Sequence, residues 1–272
     1  KDPLAAFAVE KGLPIHQPTS WKTPEALELM RSFKPDVCIM AYVTLFVPQP
    51  VLDAPPHGTF QYHPSLLPLH RGPSAISWPI AMGKTHTGLT IFWPDEGLDE
   101  GPILLQKECD IGPDETLGDV YFKKLFPMGV QAMIESLDLV REGKAPKVAQ
   151  DNSKATYEYR FKKAMAEIDW SKPAAEVYNL IRAVNPAPGA WARFKGQKFD
   201  IYDARKVEGS GQPGEILSVS DDGITIAASG GAVLAKRVRG EGGQKVAAGE
   251  FAASSGLKVG DKLDAVEPKQ SA

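Results

Sequence analysis

The chain has 272 residues, of which 43% are hydrophobic and 24% are charged, and its formal net charge is −3. This composition is typical of a globular protein with one large or two medium domains. The small negative charge excludes a whole-molecule attraction to nucleic acid or to an anionic membrane, but it does not exclude a local basic patch.

The cysteines, Cys38 and Cys109, both lie in apolar runs. Two cysteines exclude a disulfide framework and a cysteine-rich metal site, and they fit a reducing cytosol. The sequence contains no run of about 18 apolar residues that would span a membrane, and its first residues lack the apolar centre of a signal peptide. We therefore expect a cytoplasmic protein that makes no membrane contact.

Helical and strand-like patterns alternate from the start of the chain. "DPLAAFAVEKG" predicts a helix with Asp2 as its cap, and "LPIHQP" predicts a short strand. "TPEALELMRSF" predicts a helix capped by Thr23 with Pro24 in its first turn. "PDVCIMAYV" is apolar enough for a strand that is buried on both faces, as in a parallel sheet, and "QPVLDAPP" predicts a short helix.

The alternation continues through the first half of the chain. "GTFQYHPS" predicts a strand, and "HTGLTIFWPDEGLDEGPILLQKECDI" predicts two strands around an acidic loop, followed by a long helix interrupted at Pro127. This order predicts an α/β fold with a Rossmann-like, doubly wound and mostly parallel sheet. Because such a domain opens on a strand and this chain opens on a helix, we expect a first βαβ unit to precede Lys1.

The pattern changes near residue 158. Short strand-like runs with Gly and Asp turns, such as "GEILSVSDDGITIAAS" and "AVLAKRVRG", predominate after it. Frequent turns between short strands predict a small β-rich barrel. We therefore predict two domains, a catalytic domain over residues 1–158 and a β-rich domain over residues 159–272.

His63 lies at the carboxyl end of the strand predicted from "GTFQYHPS". In open α/β sheets ligands bind beyond the carboxyl ends of the strands, and a histidine there can act as a general acid or base. A histidine at a strand end can also serve only to bond a backbone carbonyl, and the position alone does not decide between the two roles.

The stretch "WPDEGLDEG" carries four carboxylates: Asp95, Glu96, Asp99 and Glu100. One interpretation is a solvated acidic turn between two strands. The other is a loop at the same sheet edge as His63, where a carboxylate orients the imidazole. The sequence shows no regular pattern of metal ligands and no GxGxxG, GxxxxGK[ST] or GxSxG motif, so we expect neither a metal nor a dinucleotide site.

"YHPSLLPLHRG", followed 36 positions after its histidine by the Asp99 of "GLDEG", resembles the signature of the 10-formyltetrahydrofolate-dependent formyltransferases. The surrounding segments look most like the amino-terminal hydrolase domain of 10-formyltetrahydrofolate dehydrogenase and are also similar to methionyl-tRNA formyltransferase. The likeness covers residues 1–205 and is weak in the tail. It implies an enzyme with 10-formyltetrahydrofolate as co-substrate, no metal, and a second domain that is an OB-like barrel.

The resemblance also implies roles for individual residues. His63 matches the catalytic histidine and Asp99 the catalytic aspartate. In the implied chemistry an amine or water attacks the formyl carbon on folate N10, His63 stabilises the oxyanion or shuttles the proton, and Asp99 holds the imidazole. The residues implied to contact or wall the folate are Leu45, Phe46, Val47, Ser65, Leu66, Leu67, Pro68, Asp95 and Gly97.

Gln61 departs from the family signature, which has an asparagine two residues before the histidine. Glutamine keeps the carboxamide but adds one methylene, and a misplacement of about 1 Å can cost about a hundredfold in rate. We predict that Gln61 takes the place of this catalytic asparagine. The alternative is that its side chain points elsewhere.

The formyl acceptor stays open at this point. From Arg160 onward there are 17 lysines and arginines against 14 acidic residues, a small surplus for a tRNA-binding face. "AKRVRG", with Lys236, Arg237 and Arg239, is the best basic cluster, and we favour a solvated strand edge over a tRNA contact there. We expect transfer to a small amine or to water, with tRNA formylation and a folate-binding protein without turnover as alternatives.

Overall fold

The computed structural model of the chain describes residues 3–266, so the predicted cap Asp2 lies outside the described residues. Short 3₁₀ turns cover Asn152–Lys154 and Lys163–Ala166, and a π-helical turn covers Tyr121–Leu125. The α-helices are α1 (Pro3–Glu10), α2 (Pro24–Ser32), α3 (Gln49–Leu52), α4 (Ser77–Ala81), α5 (Leu117–Val120), α6 (Phe126–Arg141), α7 (Ala174–Ala183) and α8 (Ala248–Ser255). The strands are β1 (Cys38–Met40), β2 (Thr59–His63), β3 (His86–Phe92), β4 (Ile103–Asp110), β5 (Ala190–Phe194), β6 (Gln197–Val207), β7 (Ile216–Ser220), β8 (Gly223–Ala228), β9 (Gly231–Gly240) and β10 (Val246–Ala247).

The first sheet has the strand order β1–β2–β3–β4. β1 and β2 are parallel, whereas β2 with β3 and β3 with β4 are antiparallel. The prediction of a mostly parallel sheet is therefore wrong. A parallel pair needs a crossover of about a dozen residues or more, usually a helix, and the acidic loop joins β3 directly to β4 without one.

One predicted strand at the start of the chain is absent, and another is present but less buried than predicted. Residues 13–18, from "LPIHQP", form no strand. Among the described strands β1 pairs only with β2. β1 is short and has an exposed face, because Ile39 keeps 43% of its surface accessible while Met40 is buried. The predicted burial of this strand on both faces is thus wrong.

The local helix signals are confirmed. The Thr23 hydroxyl accepts a hydrogen bond from the Ala26 N–H, and Pro24 occupies the first turn of α2, where its missing N–H has no helical partner to lose. At Pro127 the helix does not break. The preceding turn widens to a π-helix, so that the Phe126 N–H bonds the Tyr121 carbonyl and Pro127 falls in the first turn of α6.

The hydrophobic core consists of two clusters. The first lies between the first sheet and the α5–α6 segment, and its members include Phe60, Leu89, Ile91, Leu125 and Ala132. The second lies between the second sheet and helices α7 and α8, and its members include Ile181, Trp191, Ile201, Ile226, Val233 and Ala252. No helix within residues 3–266 is long and apolar enough to cross a membrane.

The second sheet is antiparallel, with the order β5–β6–β9–β8–β7, and β10 pairs with β9. Its described strands do not close into the predicted barrel. The irregular segment 260–264 takes hydrogen bonds at both edges instead. The Asp264 N–H donates to the Arg193 carbonyl of β5 (2.9 Å), and the Ile216 N–H of β7 donates to the Asp261 carbonyl (2.8 Å).

The basic cluster of "AKRVRG" lies on β9, which runs between β6 and β8. The prediction of a strand edge is therefore wrong, since β9 is an interior strand. Lys236 and Arg237 are nonetheless exposed, and Arg239 donates to the Asp200 carboxylate at 2.8 Å. Lys236 and Arg237 are therefore solvated although the backbone of β9 lies inside the sheet.

Candidate active site

The carboxyl ends of β1 and β2 meet at one edge of the first sheet. The strands are parallel, with Met40 opposite Gln61, so the segment that follows β1 leaves the sheet beside His63. This segment holds the predicted folate contacts Leu45, Phe46 and Val47. Leu45 is 41% exposed and Phe46 is 59% exposed, so the segment after β1 carries accessible apolar side chains, and their contact with a folate stays a prediction.

The acidic loop reaches His63 from the opposite direction. In the antiparallel register Phe92 lies opposite Gln61, and the Trp93 ring contacts the Phe60 ring beyond it, so β3 ends beside the start of β2. The acidic loop therefore starts near the other end of β2, yet it reaches His63, as the second interpretation of "WPDEGLDEG" predicted. The loop folds back along the sheet, and this return brings Asp99 to His63.

His63 and Asp99 form a buried pair. The His63 Nδ1 lies 3.6 Å from the Asp99 Oδ2, and the two side chains are 6% and 10% exposed. The His63 Nε2 lies 2.9 Å from the His70 carbonyl oxygen. Because a carbonyl only accepts, Nε2 carries a hydrogen, and Nδ1 is the nitrogen that faces the carboxylate.

The Asp99 carboxylate is held by the backbone of a second loop. The Gly72 N–H donates to its Oδ2 at 2.8 Å, and within the described residues its Oδ1 receives no hydrogen bond. Gly72 has φ = 111°, and a Cβ at this position would lie 2.4 Å from the Glu158 carbonyl oxygen. Only glycine fits there, so the N–H that orients Asp99 depends on this residue.

Asp99 itself has φ = 57°, a left-handed conformation that is uncommon outside glycine but is tolerated by aspartate. The predicted residues Asp95 and Gly97 lie on the exposed outer part of the loop, where the Gly97 N–H donates to the Asp95 Oδ1 at 3.0 Å. Their predicted place beside a folate stays a prediction.

The "SLLP" motif is internally bonded. The Ser65 hydroxyl is fully buried and donates to the Leu69 carbonyl at 2.6 Å. The Thr90 hydroxyl donates to the Ser65 carbonyl at 2.7 Å, and the buried Leu67 N–H lies 3.1 Å from the same hydroxyl oxygen. Ser65 and Leu67 thus shape the loop from within. The half-buried members of the motif are Leu66 and Pro68.

Gln61 is half-buried on β2, two residues before His63. Side chains alternate along a strand, so Gln61 and His63 share one face, while Tyr62 lies on the other face, near Gly129 of α6. Within residues 3–266 no hydrogen bond reaches the Gln61 carboxamide. Its substitution for the family asparagine stays a prediction.

Residues 150–158, at the end of the predicted catalytic domain, form with Arg71 a group that the sequence did not single out. Arg71 is 1% exposed, and its guanidinium donates to Gln150 and Asn152 and to the Tyr157 hydroxyl. Glu158 also lies 3.0 Å from the His70 Nδ1 through its Oε1. The sequence signal for this group was "HRG" in the motif. The described residues contain no cluster of three His, Cys, Asp or Glu side chains that could hold a metal ion.

Comparisons with known proteins agree with the motifs. The family described as formyl transferase matches residues 1–137, and the family described as formyl transferase, C-terminal domain, matches residues 160–256. The chain is 37% identical to human mitochondrial 10-formyltetrahydrofolate dehydrogenase over 265 residues, which cover 92% of the chain and 29% of that protein. It thus spans less than a third of the dehydrogenases that it matches.

Two further proteins extend the comparison. The methionyl-tRNA formyltransferase of Geotalea daltonii is 35% identical over 261 residues, which cover 96% of this chain and 83% of that protein. The crystal structure of HypX from Aquifex aeolicus in complex with tetrahydrofolic acid has a TM-score of 0.70 at 21% identity, and the match covers 90% of this chain and 44% of that one. The resemblance found in the sequence is thereby confirmed. Because the family matches cover most of the chain, the protein belongs to the formyl transferase family.

Proposed function

We propose that this chain moves the formyl group of 10-formyltetrahydrofolate to a small amine or to water, with His63 and Asp99 as its catalytic residues. The observation that supports this proposal is the buried pair of the His63 Nδ1 and the Asp99 Oδ2, 3.6 Å apart in a member of the formyl transferase family. A distance slightly longer than a hydrogen bond is usual for catalytic groups without substrate.

The proposed chemistry follows from the free atoms of this pair. The nucleophile attacks the formyl carbon, its proton passes to the pair through the Asp99 Oδ1 or the His63 Nδ1, and the carbonyl becomes an oxyanion. When the tetrahedral intermediate collapses, the pair returns a proton to folate N10, which leaves as an amine. The Nδ1, once it is protonated, and the Gln61 carboxamide, on the same face of β2, are the donors proposed for the oxyanion.

The folate co-substrate is proposed from two observations. The HypX structure, which shares this fold, is a complex with tetrahydrofolic acid. In this chain the partly exposed Leu45 and Phe46 follow β1 at the carboxyl edge where His63 lies. Apolar side chains at the strand ends of an α/β sheet suit a flat aromatic ligand such as a pteridine.

Methionyl-tRNA formyltransferase is the second candidate. The likeness to the Geotalea enzyme, which the chain matches over 83% of that protein, favours it. On the second sheet the cations Lys198 and Lys245 lie over the rings of Trp191 and Tyr202, which gives a basic face with aromatic groups. Binding that weakens steeply with salt would support a tRNA acceptor, and no binding of tRNA at low salt would exclude it.

The test is formyl release from 10-formyltetrahydrofolate, measured with water alone, with small amines and with methionyl-tRNA. His63→Ala should lower the rate by about a hundredfold or more, because general acid–base catalysis contributes that much. His86→Ala is the matched control, since it removes an exposed histidine of the same sheet. Equal rates for wild type and His63→Ala would leave a folate-binding protein without turnover.

A further inference from the structure

The Asp99 carboxylate is held in place by contacts from outside its own loop. The loop returns from the far end of β2, Asp99 adopts φ = 57°, and the residues before it are exposed. A left-handed aspartate in an exposed loop is not held by local preference alone. Contacts from elsewhere must fix the carboxylate against His63.

Gln150 supplies such contacts. Its Nε2 donates to the Asp99 carbonyl and to the Gly101 carbonyl, both at 2.8 Å. The two bonds clamp the backbone on both sides of Glu100, which is the part of the loop that carries the Asp99 side chain. Gln150 lies 51 residues after Asp99 in the chain, so this clamp is a tertiary contact.

Arg71 fixes the orientation of the Gln150 amide. The Arg71 Nη2 and Nε donate to the Gln150 Oε1 at 2.7 and 3.2 Å. If the amide flipped, its NH₂ group would face the guanidinium, and two donors would oppose each other. Arg71 is itself buried and also donates to the Asn152 Oδ1 at 2.7 Å. The direction of the two Nε2 hydrogens is therefore set.

The backbone on both sides of Arg71 forms hydrogen bonds to His63 and Asp99. The His70 carbonyl accepts from the His63 Nε2, and the Gly72 N–H donates to the Asp99 Oδ2. Three consecutive residues thus orient both partners, two of them through the backbone and Arg71 through Gln150. We propose that Gln150, oriented by Arg71, is a positioning residue that holds the Asp99 carboxylate against His63. This inference rests on the proposed function of that pair.

The test compares two amide-to-carboxylate substitutions beside the same guanidinium. Gln150→Glu keeps an acceptor for Arg71 but loses both donors to the loop, whereas Asn152→Asp changes an Arg71 acceptor that makes no hydrogen bond to the loop within residues 3–266. Gln150→Glu should lower kcat for formyl release by about ten- to a hundredfold, since a displacement of about 1 Å has such an effect, with KM for 10-formyltetrahydrofolate within about twofold. Asn152→Asp should stay within about twofold of wild type in both constants.

A wild-type kcat in Gln150→Glu, or an equal loss in Asn152→Asp, would overturn the positioning role. Thermal unfolding checks the fold of each variant, and Gln150→Met is the substitute if Gln150→Glu does not fold. Collapse of both Gln150 variants would assign Gln150 a structural role and overturn the proposal. Asp99→Asn is measured alongside: a wild-type rate there means that the proposed function fails, whereas its loss beside an active Gln150→Glu means that only the positioning role fails.

Discussion

Two histidines of the first sheet lie beside carboxylates in contrasting surroundings. At the start of β3 the His86 side chain is 47% exposed, with its Nε2 2.9 Å from the Glu108 Oε2 and its Nδ1 3.2 Å from the Asp110 Oδ1. His86 and Asp110 are direct cross-strand partners. Hydrogen bonds first to Glu108 and then to Asp110 raise the pKa of His86.

His63 and Asp99 are farther apart, at 3.6 Å, yet their side chains are almost fully buried. Exposed ion pairs are screened by water and salt and contribute little, whereas charges in a dry site act strongly on a bound substrate. The cross-strand register of β3 and β4 places His86 beside its carboxylates, whereas two loops hold His63 and Asp99 together. Burial and support, rather than distance, distinguish the candidate catalytic pair from the surface one.

The largest expected effect comes from the two aspartates that face these histidines. Asp99→Asn removes the group that accepts a proton, and the rate of formyl release should fall by about 10² to 10⁴-fold. Asp110→Asn makes the same change at the exposed pair and should leave the rate within about twofold, because no substrate is proposed there. Similar losses in both variants, measured at saturating folate, would remove the distinction between the pairs.

The next largest effect on kcat is expected from substituting a glycine beside the His63–Asp99 pair, compared with a glycine far from it. Gly72→Ala places a Cβ 2.4 Å from the Glu158 carbonyl oxygen, so the loop must shift and the N–H that orients Asp99 moves with it. We expect a kcat lower by about tenfold to a hundredfold. Gly143 has φ = 67°, and a Cβ there would meet open space. Gly143→Ala should therefore lower the unfolding temperature slightly, because alanine disfavours this φ, without changing kcat. An unchanged kcat in Gly72→Ala would contradict the assigned role of its N–H.

Substitutions of Gln61 test whether its carboxamide, on the same face of β2 as His63, takes part in the reaction. Gln61→Leu removes the carboxamide and should lower kcat by about tenfold, the value of one hydrogen bond of average strength. Gln61→Asn restores the residue that the family signature carries and should keep kcat within about threefold of wild type. If Gln61→Leu matches wild type in steady-state kinetics, the carboxamide points away from the reacting atoms.

The smallest effect concerns stability at the exposed pair. The pKa of His86 is raised in the folded state, so its pairing stabilises the fold fully below the unfolded value of about 6.5 and loses this contribution as the pH rises through the folded value. His86→Gln should therefore lower the unfolding temperature at about pH 5 and leave it unchanged at about pH 9. A pH-independent difference between wild type and variant would mean that the ion pairs contribute nothing.

Local features could be predicted from the sequence because each depends on neighbouring residues. Thr23 and Pro24 start α2 by satisfying or omitting N–H groups within one turn, and Pro127 marks the point where the long helix must widen. "YHPSLLPLHRG" and "GLDEG" identified the family by their residue types and separation. These inferences needed no knowledge of where other segments lie.

The tertiary structure alone decided the direction of β3 and the partners of Asp99. The sequence left open whether the acidic loop is a solvated turn or lies beside His63. In the structure β3 is antiparallel to β2, and the loop comes back from the other end to reach His63. Arg71 and Gln150, 79 residues apart, meet in a buried contact that no local pattern indicates. The sequence by itself determined which chemical groups are present and where α2 starts, since its cap depends on neighbouring residues alone. The meeting of His63, Asp99 and Gln150 at one site depends on long-range hydrogen bonds and on burial. These contribute free energy only once the chain has packed.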